Sequence, residues 1–265
     1  MGPYRQGIAE RRKESWTSPD TATDSGGMNL KNARVLLVGG TSGIGLGVAT
    51  AVAERGGVPI VASRNQASVD RALGTLPDGA RGLTVDLTDP AALAGFAAQV
   101  GPIEHLVFTA GEELQMYPLA DITAEAIGDL FGTRFAGQLL SVRAFAPRIT
   151  AGGSITLTSG TAADKPDLGV LPAAVCGAVS AMTRALAVEL APLRVNAVAP
   201  GPIDTPLWSA LAPEGRDALY AQYAQQLPAG RMGAVTDTAL AYTYLMEQEF
   251  GTGQVLTVDG GGTLV

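Results

Sequence analysis

From Ala33 onward, the sequence alternates short apolar runs with longer stretches that are rich in alanine and leucine. Short strands that alternate with helices imply βαβ units and a parallel sheet, and continuous apolar runs are typical of strands covered on both faces. The pattern therefore predicts an α/β fold in which one parallel sheet of seven strands lies between two layers of helices. The predicted strands are Val35–Val38, Pro59–Ser63, Gly82–Val85, His105–Thr109, Ser154–Thr158, Arg194–Ala199 and Gln254–Val258.

The size and charge of the chain limit its other properties. Its 265 residues suffice for one large domain, predicted over residues 29–265, and residues 1–28 are predicted to be a disordered extension. The formal net charge of −7 argues against a general nucleic-acid surface. The single cysteine, Cys176, excludes an intramolecular disulfide and fits a cytoplasmic protein. No apolar run is expected to span a bilayer, so a membrane is not an expected partner.

A glycine-rich turn connects the first predicted strand to a predicted helix over Ile44–Glu54. Glycines allow the backbone to approach a pyrophosphate closely, and a helix N-terminus presents amide groups and a positive dipole end to the anion. The sequence therefore predicts a Rossmann-type, doubly wound three-layer sandwich that binds a dinucleotide. The loop residues predicted to bind the cofactor are Gly39, Thr41, Ser42, Gly43, Ile44 and Gly45.

The loop spacing, Gly-x-x-x-Gly-x-Gly, and several later motifs occur together in one order. From Met28 to Val265 the chain resembles the short-chain dehydrogenase/reductase (SDR) family, of the classical type. The resemblance implies that Ser159, which closes the fifth strand, is the catalytic serine. Phe108 and Thr109 stand where the family has asparagines. The resemblance also implies a set of cofactor-binding residues after successive strands: Asp86, Leu87, Ala110, Gly111, Pro200, Gly201, Ile203 and Thr205.

The end of the second strand indicates which dinucleotide binds. An acidic residue there would bind the ribose 2′-hydroxyl of NAD and repel a 2′-phosphate, but this chain has Ser63-Arg64-Asn65. The Arg64 guanidinium can form a charge-assisted fork with a phosphate, and Ser42 and Asn65 could add hydrogen bonds. We therefore expect NADP(H) as the cofactor, with NAD(H) as the alternative. No metal site is predicted.

The proton-transfer residues of the family are missing. The resemblance implies a tyrosine, a lysine four residues later and an upstream asparagine, and these positions fall on Pro172, Cys176 and a site near Arg134. Of the family's catalytic residues, only the serine remains, as Ser159. The hypothesis for Pro172 and Cys176 is structural, since a proline suits the first turn of a helix and a buried thiol is uncharged. Candidate replacement proton donors are Lys165, Tyr117, Glu112, Tyr220 and water.

Two functions of different class remain open at this point. The first is an NADP(H)-dependent oxidoreductase for a carbonyl or alcohol substrate, with a non-standard catalytic site. The second is a cofactor-binding protein without hydride transfer, such as a sensor, a partner subunit or a non-redox enzyme. The resemblance implies a lid over Trp208–Leu227, and its Trp208, Tyr220 and Tyr223 favour an apolar small-molecule substrate. The helix predicted over Ala173–Leu190 is apolar on nearly all sides, which favours a homo-oligomer, a dimer or tetramer.

Overall fold

The apolar runs of the sequence form one parallel sheet in the order β3-β2-β1-β4-β5-β6-β7. All neighbouring strands pair in parallel, which confirms the predicted seven-stranded sheet. The order reverses between β1 and β4, as in a doubly wound fold. The strands are β1 (Arg34–Val38), β2 (Val58–Ser63), β3 (Arg81–Thr84), β4 (Ile103–Phe108), β5 (Ile149–Thr158), β6 (Arg194–Pro200) and β7 (Val255–Val258).

This computed structural model describes residues 29–87, 89–111, 117–208 and 212–265. The predicted N-terminal extension, residues 1–28, lies outside the described residues, as does the candidate proton donor Glu112.

Helices cover both faces of the sheet. One face packs against α3, α5 and α6 through side chains such as Phe96, Phe145 and Met182. The other face packs against α1 and α8 through Val48 and Tyr242, which confirms the predicted three-layer sandwich. The described helices are α1 (Gly43–Glu54), α2 (Gln66–Leu73), α3 (Pro90–Val100), α4 (Ala124–Phe131), a π-helical turn (Gly132–Gly137), α5 (Gln138–Phe145), α6 (Val170–Glu189), α7 (Pro213–Gln226) and α8 (Val235–Glu247).

The fifth strand is longer than predicted. The expected strand starts at Ser154, but β5 begins at Ile149, which pairs with Ile103 of β4. The register between the two strands then shifts before His105 pairs with Ser154. Gly152 has a positive φ of 84° within this stretch, a conformation that favours glycine. The glycines therefore form an irregularity inside the strand, which extends five residues before its predicted start.

The long helix α6 belongs to the core of the domain. It begins at Val170, before the predicted Ala173, and Pro172 lies in its first turn, as predicted. Within the described residues, α6 alone has the length and apolar composition of a membrane-spanning helix, which corrects the expectation that no apolar run is long enough. Because 56% of its apolar window is buried inside the fold, α6 has the character of a core helix.

Candidate functional site

A cavity of about 350 Å³ opens where the carboxyl ends of β1, β4, β5 and β6 meet. Ligands of doubly wound folds bind at this edge, beside the point where the strand order reverses. The cavity brings together every residue predicted to bind the cofactor, together with Ser159. These lining residues are Gly39, Thr41, Ser42, Gly43, Ile44, Gly45, Arg64, Asp86, Leu87, Ala110, Gly111, Ser159, Pro200, Gly201, Ile203 and Thr205.

The glycine loop forms one wall of this cavity, and its geometry requires glycine at two positions. Gly39 has a φ of 88°, and a Cβ on this residue would overlap the backbone of Ala110. A Cβ on Gly45 would overlap the carbonyl oxygen of Gly39. Helix α1 begins directly after Ser42, which makes no side-chain cap, and its first turn carries no acidic residue. The amide groups at this helix N-terminus therefore face a site that suits an anion.

Thr109, one of the departures from the family pattern, holds the loop in place. Its hydroxyl lies 3.2 Å from the carbonyl oxygen of Gly39, to which it donates, and its amide donates to the carbonyl oxygen of Val38 at 2.8 Å. The end of β4 is thereby fixed against the glycine loop. In the sequence, Thr109 was noted only as a residue that stands where the family has an asparagine. A hydroxyl at the end of a strand nevertheless indicates a possible hydrogen bond from the side chain to the backbone.

The residues after β2 and β3 form the end of the cavity where the predicted adenosine site lies. Ser63, Arg64 and Asp86 line this end, and Arg64 is exposed to solvent. Asn65 has a different role from the one suggested by the sequence, because its side chain accepts a hydrogen bond from the amide of Ala67 at 2.8 Å and caps α2. Arg64 therefore places a cation at the predicted adenosine end of the cavity.

The loop after β6 forms the opposite end. A Cβ on Gly201 would lie 2.6 Å from Cβ of Asp259, so only glycine allows this close approach. Trp208 lines the cavity beside Leu207. The Trp208 indole donates to the carbonyl oxygen of Ile203 at 2.7 Å, and its ring centroid lies 6.4 Å from that of Tyr223 on α7. The predicted lid thus presents a fixed aromatic face to the cavity.

Ser159 is buried at the end of β5, with 7% of its surface exposed. Its hydroxyl donates to the carbonyl oxygen of Cys176 at 2.9 Å and lies 2.9 Å from Oγ of Ser180. Since a hydroxyl has one proton, Ser180 donates to Ser159 in this arrangement. Ser159 must therefore rotate away from α6 before it can donate to a substrate carbonyl.

Pro172 and Cys176 are both buried in α6 and do not line the cavity. Burial raises the pKa of the Cys176 thiol to about 11, and the nearby charge of Arg134 lowers it only in part. A Cβ on Gly160 would lie 2.9 Å from Sγ of Cys176, so the thiol is tightly packed. These observations support the structural hypothesis for both residues.

Arg134 lines the same cavity as Ser159, and its charge acts on Cys176, whose carbonyl oxygen accepts the hydrogen bond from Ser159. It lies in the π-helical turn between α4 and α5. Such turns are rare in proteins as a whole, and those that occur are often found at functional sites. A Cβ on Gly111 would lie 2.8 Å from Cζ of Arg134, so the guanidinium packs directly against the glycine that follows β4. The sequence marked Arg134 only as the position of a missing asparagine. A π-helical turn leaves no signal in sequence periodicity, so the sequence did not indicate that Arg134 is a cation of the cavity.

The candidate proton donors that the structure describes do not line the cavity. The Lys165 ammonium donates to the carbonyl oxygens of Gly262 at 2.7 Å and Val265 at 3.0 Å. Tyr117 packs against a cluster beside α4 and α6, and the Tyr220 hydroxyl donates to the carboxylate of Asp204. These contacts favour structural roles for Lys165, Tyr117 and Tyr220.

Comparison with known proteins agrees with this geometry. A family model described as enoyl-(acyl carrier protein) reductase matches residues 38–263. The short-chain dehydrogenase/reductase MalC of Malbranchea aurantiaca is 35% identical over 251 residues, or 88% of this chain and 95% of MalC. The chain belongs to the short-chain dehydrogenase/reductase family. This SDR chain nevertheless has no tyrosine followed four residues later by a lysine anywhere in its sequence.

Solved SDR structures share the fold over nearly the whole described domain. The structure of the MalC reductase/Diels-Alderase has a TM-score of 0.81 at 33% identity, with 89% of this chain and 97% of that chain covered. A small-chain dehydrogenase in complex with NADPH has a TM-score of 0.75 at 30% identity, with coverage of 89% and 100%. A short chain oxidoreductase from Pseudomonas aeruginosa PAO1, described as containing an atypical catalytic center, has a TM-score of 0.81 at 28% identity, with coverage of 88% and 98%.

Proposed function

We propose that this SDR protein is an NADP(H)-dependent oxidoreductase that reduces an apolar carbonyl substrate through a non-standard site. The observation that carries the proposal is the position of Arg134, a cation that lines the same cavity as Ser159, Leu207 and Trp208. An SDR neighbour in complex with NADPH supports the choice of cofactor.

The residues of the cavity fit a dinucleotide with a 2′-phosphate. Gly39 and Gly45 leave no room for side chains between the loop and the end of β4, so the backbone and the N-terminus of α1 would hold the pyrophosphate. Arg64 would bind the 2′-phosphate. Gly201 and Thr205 would hold the opposite end. The bound cofactor would supply the hydride.

Arg134 would bind the oxygen of the substrate. When a carbonyl carbon accepts a hydride, its oxygen gains a negative charge, and a guanidinium that donates hydrogen bonds to the oxygen stabilises that charge. Water supplies the proton that completes the alcohol, because neither Pro172 nor the buried Cys176 thiol can do so. Ser159 becomes a second donor once its hydroxyl leaves the Cys176 carbonyl oxygen. Leu207 and Trp208 would cover the apolar part of the substrate.

The test combines cofactor binding with turnover. The purified protein is titrated with NADPH and NADH by fluorescence and then incubated with NADPH and a broad panel of carbonyl compounds. We expect Arg134→Met to reduce kcat by about 100-fold, the usual effect of removing one oxyanion donor, and Ser159→Ala to reduce it by less. Arg143→Met on α5 is the matched control, because Arg143 is exposed and does not line the cavity. NADPH binding without turnover of any panel compound would contradict the proposal.

A non-redox reaction is the second candidate, and one comparison favours it. The solved structure of MalC is described as a reductase/Diels-Alderase, and a cycloaddition forms two σ bonds from π bonds without transfer of an atom. Such a reaction needs no proton donor, which suits a site without tyrosine and lysine. Arg134 would then polarise a carbonyl of the dienophile. If conversion of a diene–dienophile probe proceeds equally with NADPH and NADP⁺, the second candidate holds; a requirement for NADPH favours the first.

A further inference from the structure

Gln138 is a buried polar residue at the start of α5, with 1% of its surface exposed. Its side-chain amide makes three hydrogen bonds. Nε2 donates to the carbonyl oxygen of Arg134 at 2.5 Å and to the carbonyl oxygen of Thr158 at 3.0 Å, and Oε1 accepts from the amide of Thr158 at 3.2 Å. The nitrogen and the oxygen of the buried side-chain amide therefore both have hydrogen-bond partners in the backbone.

The contacts with Thr158 replace a missing strand neighbour. The pairing of β4 with β5 ends at Thr156, so Thr158 lies beyond the part of β5 that is paired with β4. The side-chain amide of Gln138 supplies one donor and one acceptor, as a strand residue would. The Thr158 hydroxyl in turn donates to the carbonyl oxygen of Phe108 at 2.5 Å and lies 2.6 Å from the hydroxyl of Tyr242. Thr158 is thus held by both helical layers and by β4.

The contact with Arg134 reaches the other element of the site. A π-helical turn departs from the regular hydrogen bonding of an α-helix, and Gln138 directly follows that turn. Its amide holds the backbone carbonyl of Arg134, whose guanidinium packs against Gly111 in the cavity. One side chain therefore joins the backbone of Arg134 to the residue immediately before Ser159.

We propose that Gln138 is a positioning residue that fixes Arg134 relative to Ser159 at the reacting end of the cavity. Its role in the reaction rests on the proposed function, since both partners are placed there as ligands of the substrate oxygen. A misplacement of about 1 Å in a site of this kind reduces the rate by about 100-fold. Gln138 itself does not line the cavity, so its loss should affect kcat and leave cofactor binding unchanged.

The test uses Gln138→Met, which keeps the length of the side chain and removes all three hydrogen bonds, and Gln138→Glu, which keeps the acceptor. Ser141→Ala on the same helix is the control, because Ser141 is fully buried and its hydroxyl has no hydrogen-bond partner among the described residues. The assay measures oxidation of NADPH with 9,10-phenanthrenequinone as the carbonyl probe. We expect Gln138→Met to lower kcat by about 10- to 100-fold, with the KM for NADPH within about twofold of wild type.

Gln138→Glu distinguishes positioning from a general loss of packing. A buried carboxyl that faces two carbonyl oxygens favours its protonated form, which donates one hydrogen bond and restores part of the contact. Its kcat should therefore lie between those of wild type and Gln138→Met, and should fall as the pH rises and the carboxyl ionises. If Gln138→Met does not fold, the pH dependence of kcat in Gln138→Glu tests the proposal on its own. A kcat equal to wild type in Gln138→Met, or a pH profile of Gln138→Glu identical to wild type, would overturn the proposal.

A crystal structure of the Gln138 variants separates this proposal from the redox function. We expect the Arg134 guanidinium to leave its place against Gly111 in Gln138→Met and to keep it in Ser141→Ala. If wild type oxidises no NADPH with this probe or with any compound of the carbonyl panel, the redox function fails, and the crystal structures still decide whether Gln138 positions Arg134. An unmoved guanidinium in Gln138→Met would refute the positioning role.

Discussion

Arg64 is the residue that we expect to select between the two nicotinamide dinucleotides. It lines the adenosine end of the cavity directly after β2, where an aspartate would repel a 2′-phosphate. Each hydrogen bond between charged groups contributes about 1.5–3 kcal/mol, so Arg64→Asp should weaken NADPH binding by at least about tenfold and shift the preference toward NADH. Fluorescence titration of wild type and variant with both dinucleotides measures this shift.

Arg71→Asp provides the matched control for this prediction. Arg71 lies on α2, is exposed and donates to the hydroxyl of Ser68 at 2.9 Å, so the variant has the same change in net charge at a position outside the cavity lining. We expect its ratio of NADPH to NADH affinity to match that of wild type. An unchanged ratio of NADPH to NADH affinity in Arg64→Asp would show that Arg64 does not bind the 2′-phosphate.

At the residue scale, local motifs predict the cofactor side of the cavity better than the reacting side. Gly39, Gly45 and Arg64 belong to short segments whose spacing alone indicates contact with a dinucleotide, and the structure places all three along one cavity. Arg134 and Gln138 escape such reasoning because their positions depend on a π-helical turn and on contacts between distant segments. Contacts between side chains of distant segments leave no periodic pattern in the sequence.

At the element scale, the central strands are predictable because nearly all their residues are buried on both faces, as in β1 and β6. The start of β5 is not predictable, because two adjacent glycines, Gly152 and Gly153, are typical of a turn. A Cβ on Gly153 would overlap the carbonyl oxygen of Glu104 in β4. The close approach of two strands, which only the folded sheet shows, therefore explains this glycine.

The pairing of β4 with β5 also gives the fold a dependence on pH. His105 of β4 is 2% exposed, and its Nδ1 lies 2.9 Å from Oγ of Ser154 on β5. Burial, and then the positive charge of Arg194, lower the pKa of His105 to about 4 from its usual value of 6.5. In the unfolded chain the imidazole takes up a proton below pH 6.5, whereas in the folded chain it stays neutral until about pH 4. Its contribution to stability is complete above pH 6.5 and is lost as the pH falls toward 4.

We therefore expect the free energy of unfolding to fall by up to about 3 kcal/mol over this range from His105 alone. His105→Asn, which can keep the hydrogen bond to Ser154, should reduce the slope of stability against pH between 6.5 and 4. Denaturant unfolding of both proteins at several pH values measures the difference. His105 is the only histidine in the chain, so its imidazole resonance reports the pKa directly. Parallel pH profiles of the two proteins would contradict this account.

At the scale of the whole molecule, α6 has one face that the described fold leaves partly uncovered. Its inner face packs on the sheet through residues such as Val179 and Met182. Its outer face carries small apolar residues at alternating intervals of four and three residues, and each is at least partly exposed. These residues are Ala174, Ala178, Ala181, Ala185 and Val188. Such spacing forms a flat stripe along one side of a helix.

We propose that the stripe on α6 packs against the same stripe of a second copy, as a dimer or as part of a tetramer. A two-fold axis places identical surfaces in contact, and small side chains without charge allow two helices to approach closely. Ala181→Arg introduces a long cation at the centre of this stripe. We expect it to shift the mass measured by light scattering from oligomer to monomer, because two buried like charges oppose each other across the axis. Ala94→Arg, at an exposed position of α3, is the control and should leave the mass unchanged. A wild-type protein that is monomeric at assay concentration, or an Ala181→Arg variant with the wild-type mass, would rule out this interface.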